Sequence, residues 1–280
     1  MTSLVYERKA ALTPGGVSGH AALPMDTLSG LYGGFADISL AQLAIVATVA
    51  LLAGIIGGVS GYGSGALMPL VLVPMVGAAP VVPIIAIAAL FNNSGRVSAY
   101  LKNLDRRRAA IATVTALPGC VLGAWGYSRL TGAGAAIVIG AMLMASVPLR
   151  RFARRRNWRI DDRGLAFGSA GYGVLVGGTA GSGVIMLSLL MAAGLEGAAV
   201  IATDAMVSIG VGIVKVSVFG VTGVLTPQIV ALALLTGLMS MPGAHLSRFI
   251  VARMPIHVHT AILDAVVLVG GATMIASAFR

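Results

Sequence analysis

From Ser39 to Gly95 the chain carries no charged side chain, and beyond that point apolar runs of about 20 residues alternate with short polar connections. The runs are apolar all round rather than striped, and about 20 residues of helix cross about 30 Å of hydrocarbon. The pattern predicts helical segments at Ser39–Val59, Ala66–Val76, Val81–Leu101, Ala109–Tyr127 and Ala133–Leu149. After a basic interruption it predicts a second set at Gly164–Thr179, Val184–Leu195, Ala198–Phe219, Pro227–Ile250 and His257–Ala278.

Two stretches break this pattern with glycine. "GGVSGYGSGALMPL" spans 57–70, and a similar "GGTAGSGVIMLSLL" spans 177–190. Each is followed by longer apolar runs, so the chain reads as an internal duplication. The expected fold is an all-α polytopic membrane protein of two inverted repeats. Each repeat would be a glycine-broken helical hairpin plus three transmembrane helices, about 8 to 10 membrane segments in all. The expected organisation is an N-terminal tail (1–38), membrane repeat 1 (39–149), a basic cytoplasmic loop (150–163) and membrane repeat 2 (164–280).

Composition strengthens the membrane reading. Of 280 residues 58% are hydrophobic and only 10% charged, against about 25% charged in soluble domains. The formal net charge of +10 does not indicate nucleic acid, because the cations sit in short loops and not on a folded polar face. Seven arginines lie between Arg150 and Arg163, and Lys102–Arg108 adds one lysine and three arginines. By the positive-inside rule both loops belong on the cytoplasmic side, which places both termini outside and the halves antiparallel; the "YERK" of the tail pulls the other way. The tail lacks an apolar run behind its charges and so does not read as a cleaved signal peptide. Cys120, the single cysteine, has no disulfide or CxxC partner and reads as core.

A glycine break at membrane depth frees backbone groups that cost several kcal/mol each unless they face protein or a cavity. Close helix packing is one reason for such glycines. The functional reading is that the breaks expose N-termini of half-helices starting near Gly65 and Gly183, whose N–H groups and dipoles attract an anion. Candidate ligands there are Gly61, Gly63, Ser64, Gly65, Gly181, Ser182 and Gly183, with hydroxyls of Ser60, Tyr62 and Thr179 as further donors that can equally bond back to their own helices.

The few ionisable residues inside apolar segments are Arg96, Asp204, Lys215 and Asp264, each a functional candidate by its depth. Arg96 can instead snorkel towards Lys102. Lys215 lies between apolar residues on both sides and needs an acidic partner, carbonyls or an anion. Asp204 and Lys215 share a helix face but stand about 16 Å apart along it, too far to pair directly. Asn92 and Asn93 can donate to an anion or bond between helices. His257 and His259 do not share a helix face and make a poor metal pair. "GYGSGA" fits a loose dinucleotide pattern without the βαβ context that pattern requires, and no Walker lysine follows the glycines.

At these residues the chain resembles the TauE/SafE sulfite exporter family, over about Gln42 to Ala278. The two glycine stretches look like that family's signature and its second copy, and "ATDAMVSIGVGIVKVSVFGVTGVLT" resembles the stretch that follows. Ser64 stands where a glycine is usual, and Ser188 where the first copy has Pro69. The resemblance implies a multi-pass permease of the bacterial inner membrane that moves sulfite, sulfonates or related oxyanions, generally outward.

The expected function is a secondary transporter, binding a small anion between the breaks through Asn93, Arg96, Lys215 and the glycine-rich turns. Asp204 would couple protons or neutralise Lys215 when the site is empty. The expected partners are a small-molecule anion and the lipid bilayer, with no nucleic acid, no cofactor and no metal; a homodimer is left open. The alternatives are a channel-like anion pore and, less favoured, a membrane-embedded enzyme, for which no His, Cys or paired-carboxylate cluster is recognisable.

Overall fold

The computed structural model describes residues 33–35, 38–60, 63–155, 159–250, 267–276 and 278–279, and among these all regular structure is helical. In chain order the helices are α1 (Leu40–Ser60), α2 (Gly63–Val76), α3 (Val81–Tyr100), α4 (Arg106–Tyr127) and α5 (Gly132–Arg155). They continue with α6 (Asp162–Gly178), α7 (Gly183–Ala192), α8 (Ala198–Val221), α9 (Pro227–Ile250) and α10 (Val267–Ala276). Six are long and apolar enough to cross a bilayer: α1, α3, α4, α5, α8 and α9. The half-helices α2 and α7, of 14 and 10 residues, are too short to do so alone.

Local chemistry sets several starts. Ser39 and Gln42 form a reciprocal capping box on α1, with the Gln42 side chain accepting from the Ser39 N–H at 2.9 Å and the Ser39 hydroxyl accepting from the Gln42 N–H at 3.3 Å. Asp105 caps α4 by accepting from the Arg108 N–H at 3.0 Å, and Asp161 caps α6 by accepting from the Gly164 N–H at 2.8 Å. Two boundaries differ from the expectation. α2 begins at Gly63 rather than Ala66, and α5 continues to Arg155, so the first six residues of the anticipated basic loop are helical. Arginine is a good helix former, so the end of a hydropathic run need not end a helix. The tail through residue 32, most of the stretch from His257 with Asp264, and Gly61 and Tyr62 lie outside the described residues.

The packing has matching pairs. α1 lies along α9 and α6 along α4; α3 touches α9 and α8 touches α4; α3 and α8 meet each other. Along the first pair the contacts advance together, Gly34 against Pro227, Gly54 against Ser240 and Gly58 against Ser247, so α1 and α9 run the same way. Gly173 against Ala116 and Gly177 against Cys120 give α4 and α6 a shared direction too. A Cβ at Gly54 or Gly173 would run into the facing carbonyl oxygen, which is why small residues occupy these crossings.

Contacts at the ends fix the relative sense. Arg107 pairs with Asp162 at 2.6 Å and Ser98 meets His245 at 3.3 Å, so α4 and α6 begin at the end where α3 and α9 finish. That end carries the described cations Lys102, Arg106–Arg108, Arg159 and Arg163. At the opposite end the Tyr127 hydroxyl donates to the Ala78 and Ala79 carbonyls at 3.0 and 3.2 Å, alternative acceptors for one hydrogen, tying the end of α4 to the α2–α3 turn. Tyr127 also packs edge-on against Phe219, with ring centroids 6.0 Å apart.

Candidate functional site

The two half-helices point their N-termini at one volume. α2 runs from Gly63 towards the Tyr127 end, whereas α7 runs from Gly183 to the basic end, where the Ile160 N–H donates to the Ala192 carbonyl at 2.9 Å. Between them the breaks cross, backbone on backbone: a Cβ at Gly65 would sit 2.9 Å from the Gly181 nitrogen. Gly181 has φ +83°, a region that L side chains rarely adopt. Ser182 caps α7 without using its side chain on the backbone; the Ile185 N–H donates to the Ser182 carbonyl at 2.9 Å, and the N–H groups of Gly183 and Val184 ahead of it have no side-chain cap from that residue.

A cavity of about 100 Å³ opens at this crossing. That is several times the roughly 10–15 Å³ that one water requires. One wall is a stripe of α3, Ile85, Ala86, Ala89, Asn93 and Arg96, and the facing wall a stripe of α8, Ser208, Val211, Gly212 and Lys215. Both stripes follow helical spacing, so each helix presents one face. Gly65, Tyr172, Val176 and the segment Thr179–Gly183 complete the lining.

Three charged groups gather here, all at least 94% removed from solvent. Arg96 is engaged on both sides of its guanidinium: Nη2 donates to Asp204 Oδ2 at 2.8 Å and to the Ile201 carbonyl at 3.3 Å, and Nη1 donates to Asn93 Oδ1 at 2.8 Å. Arg96 therefore faces the interior and does not snorkel. Lys215 Nζ donates to the carbonyls of Val176 at 2.6 Å and Thr179 at 2.8 Å. These are carbonyls of the last turn of α6, which a helix leaves without internal partners and which carry the negative end of its dipole. The ammonium thus ties α8 to the second break. Three buried atoms at these groups have no hydrogen-bond partner in the structure, one of them being Thr179 Oγ1 in the lining. The other two are Arg96 Nε and Asp204 Oδ1.

Of the residues singled out in the sequence, Gly65, Asn93, Arg96, Gly181, Ser182, Gly183 and Lys215 line the cavity. Gly63 and Ser64 open α2, and Gly61 lies outside the described residues. Asp204 stands behind Arg96 as its counter-ion, so in this arrangement it is Arg96 and not Lys215 that it neutralises. Tyr172 and Ser208 were not singled out. Ser208 follows Asp204 by one turn on the same face, a signal the spacing offers, whereas nothing in the sequence marks Tyr172. Among the described residues no group of three or more His, Cys, Asp or Glu is placed to hold a metal ion.

A family model, sulfite exporter TauE/SafE, matches residues 46–274. The chain belongs to this family of membrane transporters and is a multi-pass membrane protein. No curated protein and no solved structure matches it.

Proposed function

We propose that this member of the sulfite exporter TauE/SafE family is a secondary transporter built of two inverted repeats, α1–α5 and α6–α10, and that it exports a small sulfur-containing oxyanion such as sulfite or an organosulfonate. The observation that carries the anion reading is the convergence of two half-helix N-termini, Arg96 and Lys215 on one buried cavity. Helix N-termini favour negative charge, and the three charged side chains leave one positive charge in excess. Asn93, Ser182 and the N–H groups around Gly65, Gly181 and Gly183 supply donors for the anion's oxygens.

The inverted-repeat reading is supported by the pairing of α1 with α9 and α6 with α4, which exchange under a swap of the halves, and by the opposite sense of the two pairs. Inverted-repeat transporters place substrate where broken helices meet, and they alternate access by moving one repeat against the other. The crossing of Gly65 over Gly181 is suited to such movement because two residues without side chains meet there backbone to backbone. The basic end is the cytoplasmic one on this reading, and the membrane is the bacterial inner membrane.

The test is a thermal-shift series on purified protein with sulfite, thiosulfate, sulfate, taurine, sulfoacetate and a carboxylate control. A ligand present at 100 times its Kd stabilises the native state by about 2.7 kcal/mol, which is readily seen. Stabilisation by at least one sulfur oxyanion and not by the carboxylate is expected; no shift with any of them contradicts the assignment.

A further inference from the structure

We infer that the cavity as it stands balances one negative charge, and that a doubly charged oxyanion binds only together with a proton taken up by Asp204 at Oδ1. The inference rests on the reading of the cavity as an anion seat. The charges around it are two cations and one carboxylate, and the carboxylate is already committed to Arg96 through Nη2 and Oδ2 at 2.8 Å. Lys215 is held by two carbonyls, which are dipoles and not charges, so the unbalanced positive charge sits on its ammonium. A monoanion beside Lys215 completes the balance with the Arg96–Asp204 pair intact.

A dianion needs a second cation in the same cavity, and Arg96 lines that cavity. Drawing Arg96 onto the anion leaves Asp204 buried at 1% exposure with its charge uncompensated. A buried carboxylate in that position takes a proton in preference to remaining ionised. The pair is built to separate: a single Nη2–Oδ2 contact joins the side chains, and Asp204 Oδ1 and Arg96 Nε are both buried without a partner. In the step, a proton from water reaching the cavity forms an O–H bond at Oδ1, the Nη2–Oδ2 contact is given up, and the freed N–H donates to an oxygen of the anion. No electron transfer is involved, and the bound site gains two negative charges and one positive.

Other groups around Asp204 do not offer the same exchange. From α3 it meets Arg96, with Asn93 beside the guanidinium. From α6 Tyr172 is close to it, lining the cavity together with Ser182 and Ser208. From the start of α4, Asp105 reaches the neighbouring residue through its backbone N–H on the Thr203 hydroxyl, while its own carboxylate pairs with Arg108. Cys120 of α4 lies towards Lys215, and α7 brings no titratable side chain.

Sulfate and methanesulfonate separate the cases, since one is a dianion, the other a monoanion, and neither changes charge between about pH 6 and pH 8. Calorimetric titration of the purified full chain in two buffers of different ionisation heat counts protons per anion. About one proton is expected to enter with each sulfate and none with methanesulfonate, and sulfate affinity is expected to rise about tenfold per pH unit lowered while methanesulfonate stays flat. Asp204→Asn is expected to bind sulfate without proton uptake. Sulfate binding to the unaltered protein with no proton uptake overturns the inference, as does uptake undiminished in Asp204→Asn, or binding of methanesulfonate with no sulfate binding at any of these pH values. If Asp204→Asn does not fold, the contrast between the two anions on the unaltered protein decides. Absence of binding by both probes and by sulfite instead removes the anion seat on which the inference stands.

Discussion

The two cations of the cavity come from two helices that pack against each other, Arg96 on α3 and Lys215 on α8, and they are held in opposite ways. Arg96 is neutralised by a full carboxylate and steadied by an amide; Lys215 has two carbonyls at the end of a broken helix. The planar fork of arginine suits the first arrangement, and the compact ammonium of lysine suits the second. The difference teaches that two buried cations facing one cavity can be held by different means. One position stores its charge in an ion pair. The other holds its charge against carbonyl dipoles alone, with no carboxylate to neutralise it.

The comparison breaks most severely at the ion pair. Asp204→Ala leaves the Arg96 guanidinium buried without its partner, and we expect a loss of about 3–5 kcal/mol, read by equilibrium unfolding in mixed micelles. Replacing Arg96 and Asp204 together by leucine is expected to restore most of that loss, because no orphan charge remains. Lys215→Met strands the Val176 and Thr179 carbonyls and is expected to cost about 1–3 kcal/mol by the same measurement, less than Asp204→Ala because dipoles and not a charge are left behind. Equal losses at the two sites would erase the contrast.

The glycine breaks offer a smaller contrast. Gly181→Ala forces a side chain into φ +83° and sets its Cβ 3.1 Å from Leu143 and 3.3 Å from the Gly65 carbonyl oxygen. A cost of about 1–2 kcal/mol is expected from the backbone conformation, seen as a lower thermal midpoint. Tyr127→Phe, away from the cavity, removes the hydroxyl that reaches the Ala78 and Ala79 carbonyls and should cost about 0.5–1.5 kcal/mol with sulfite binding unchanged.

Much of the fold was legible because membrane helices declare themselves by length and uniform apolarity: α9 spans Pro227–Ile250, as the hydropathic pattern predicts. Boundaries set by backbone packing were less so. Gly63 is helical although glycine is a poor helix former, and only the contact of Gly65 with Gly181 in the other half makes sense of the glycines that follow it. Several residues that line the cavity were legible in the sequence, and their connections were not. Arg96, Asn93 and Lys215 stand out as polar groups in apolar runs, but Arg96 and Asp204 are 108 positions apart, and their pairing depends on how α3 lies against α8. The partners of Lys215 are backbone carbonyls, which every residue possesses and no sequence marks. The hydroxyl of Tyr172 likewise gains meaning only once α6 is brought to the cavity.

Sulfite flux in proteoliposomes tests the central claim most directly, with the unaltered protein set against Lys215→Ala and Arg96→Gln, each first shown to be folded by its elution and thermal transition. Flux by the unaltered protein that falls to the level of protein-free vesicles in Lys215→Ala, and strongly in Arg96→Gln, is the result expected of an anion seat carried by these two side chains. Flux unchanged in both would contradict it.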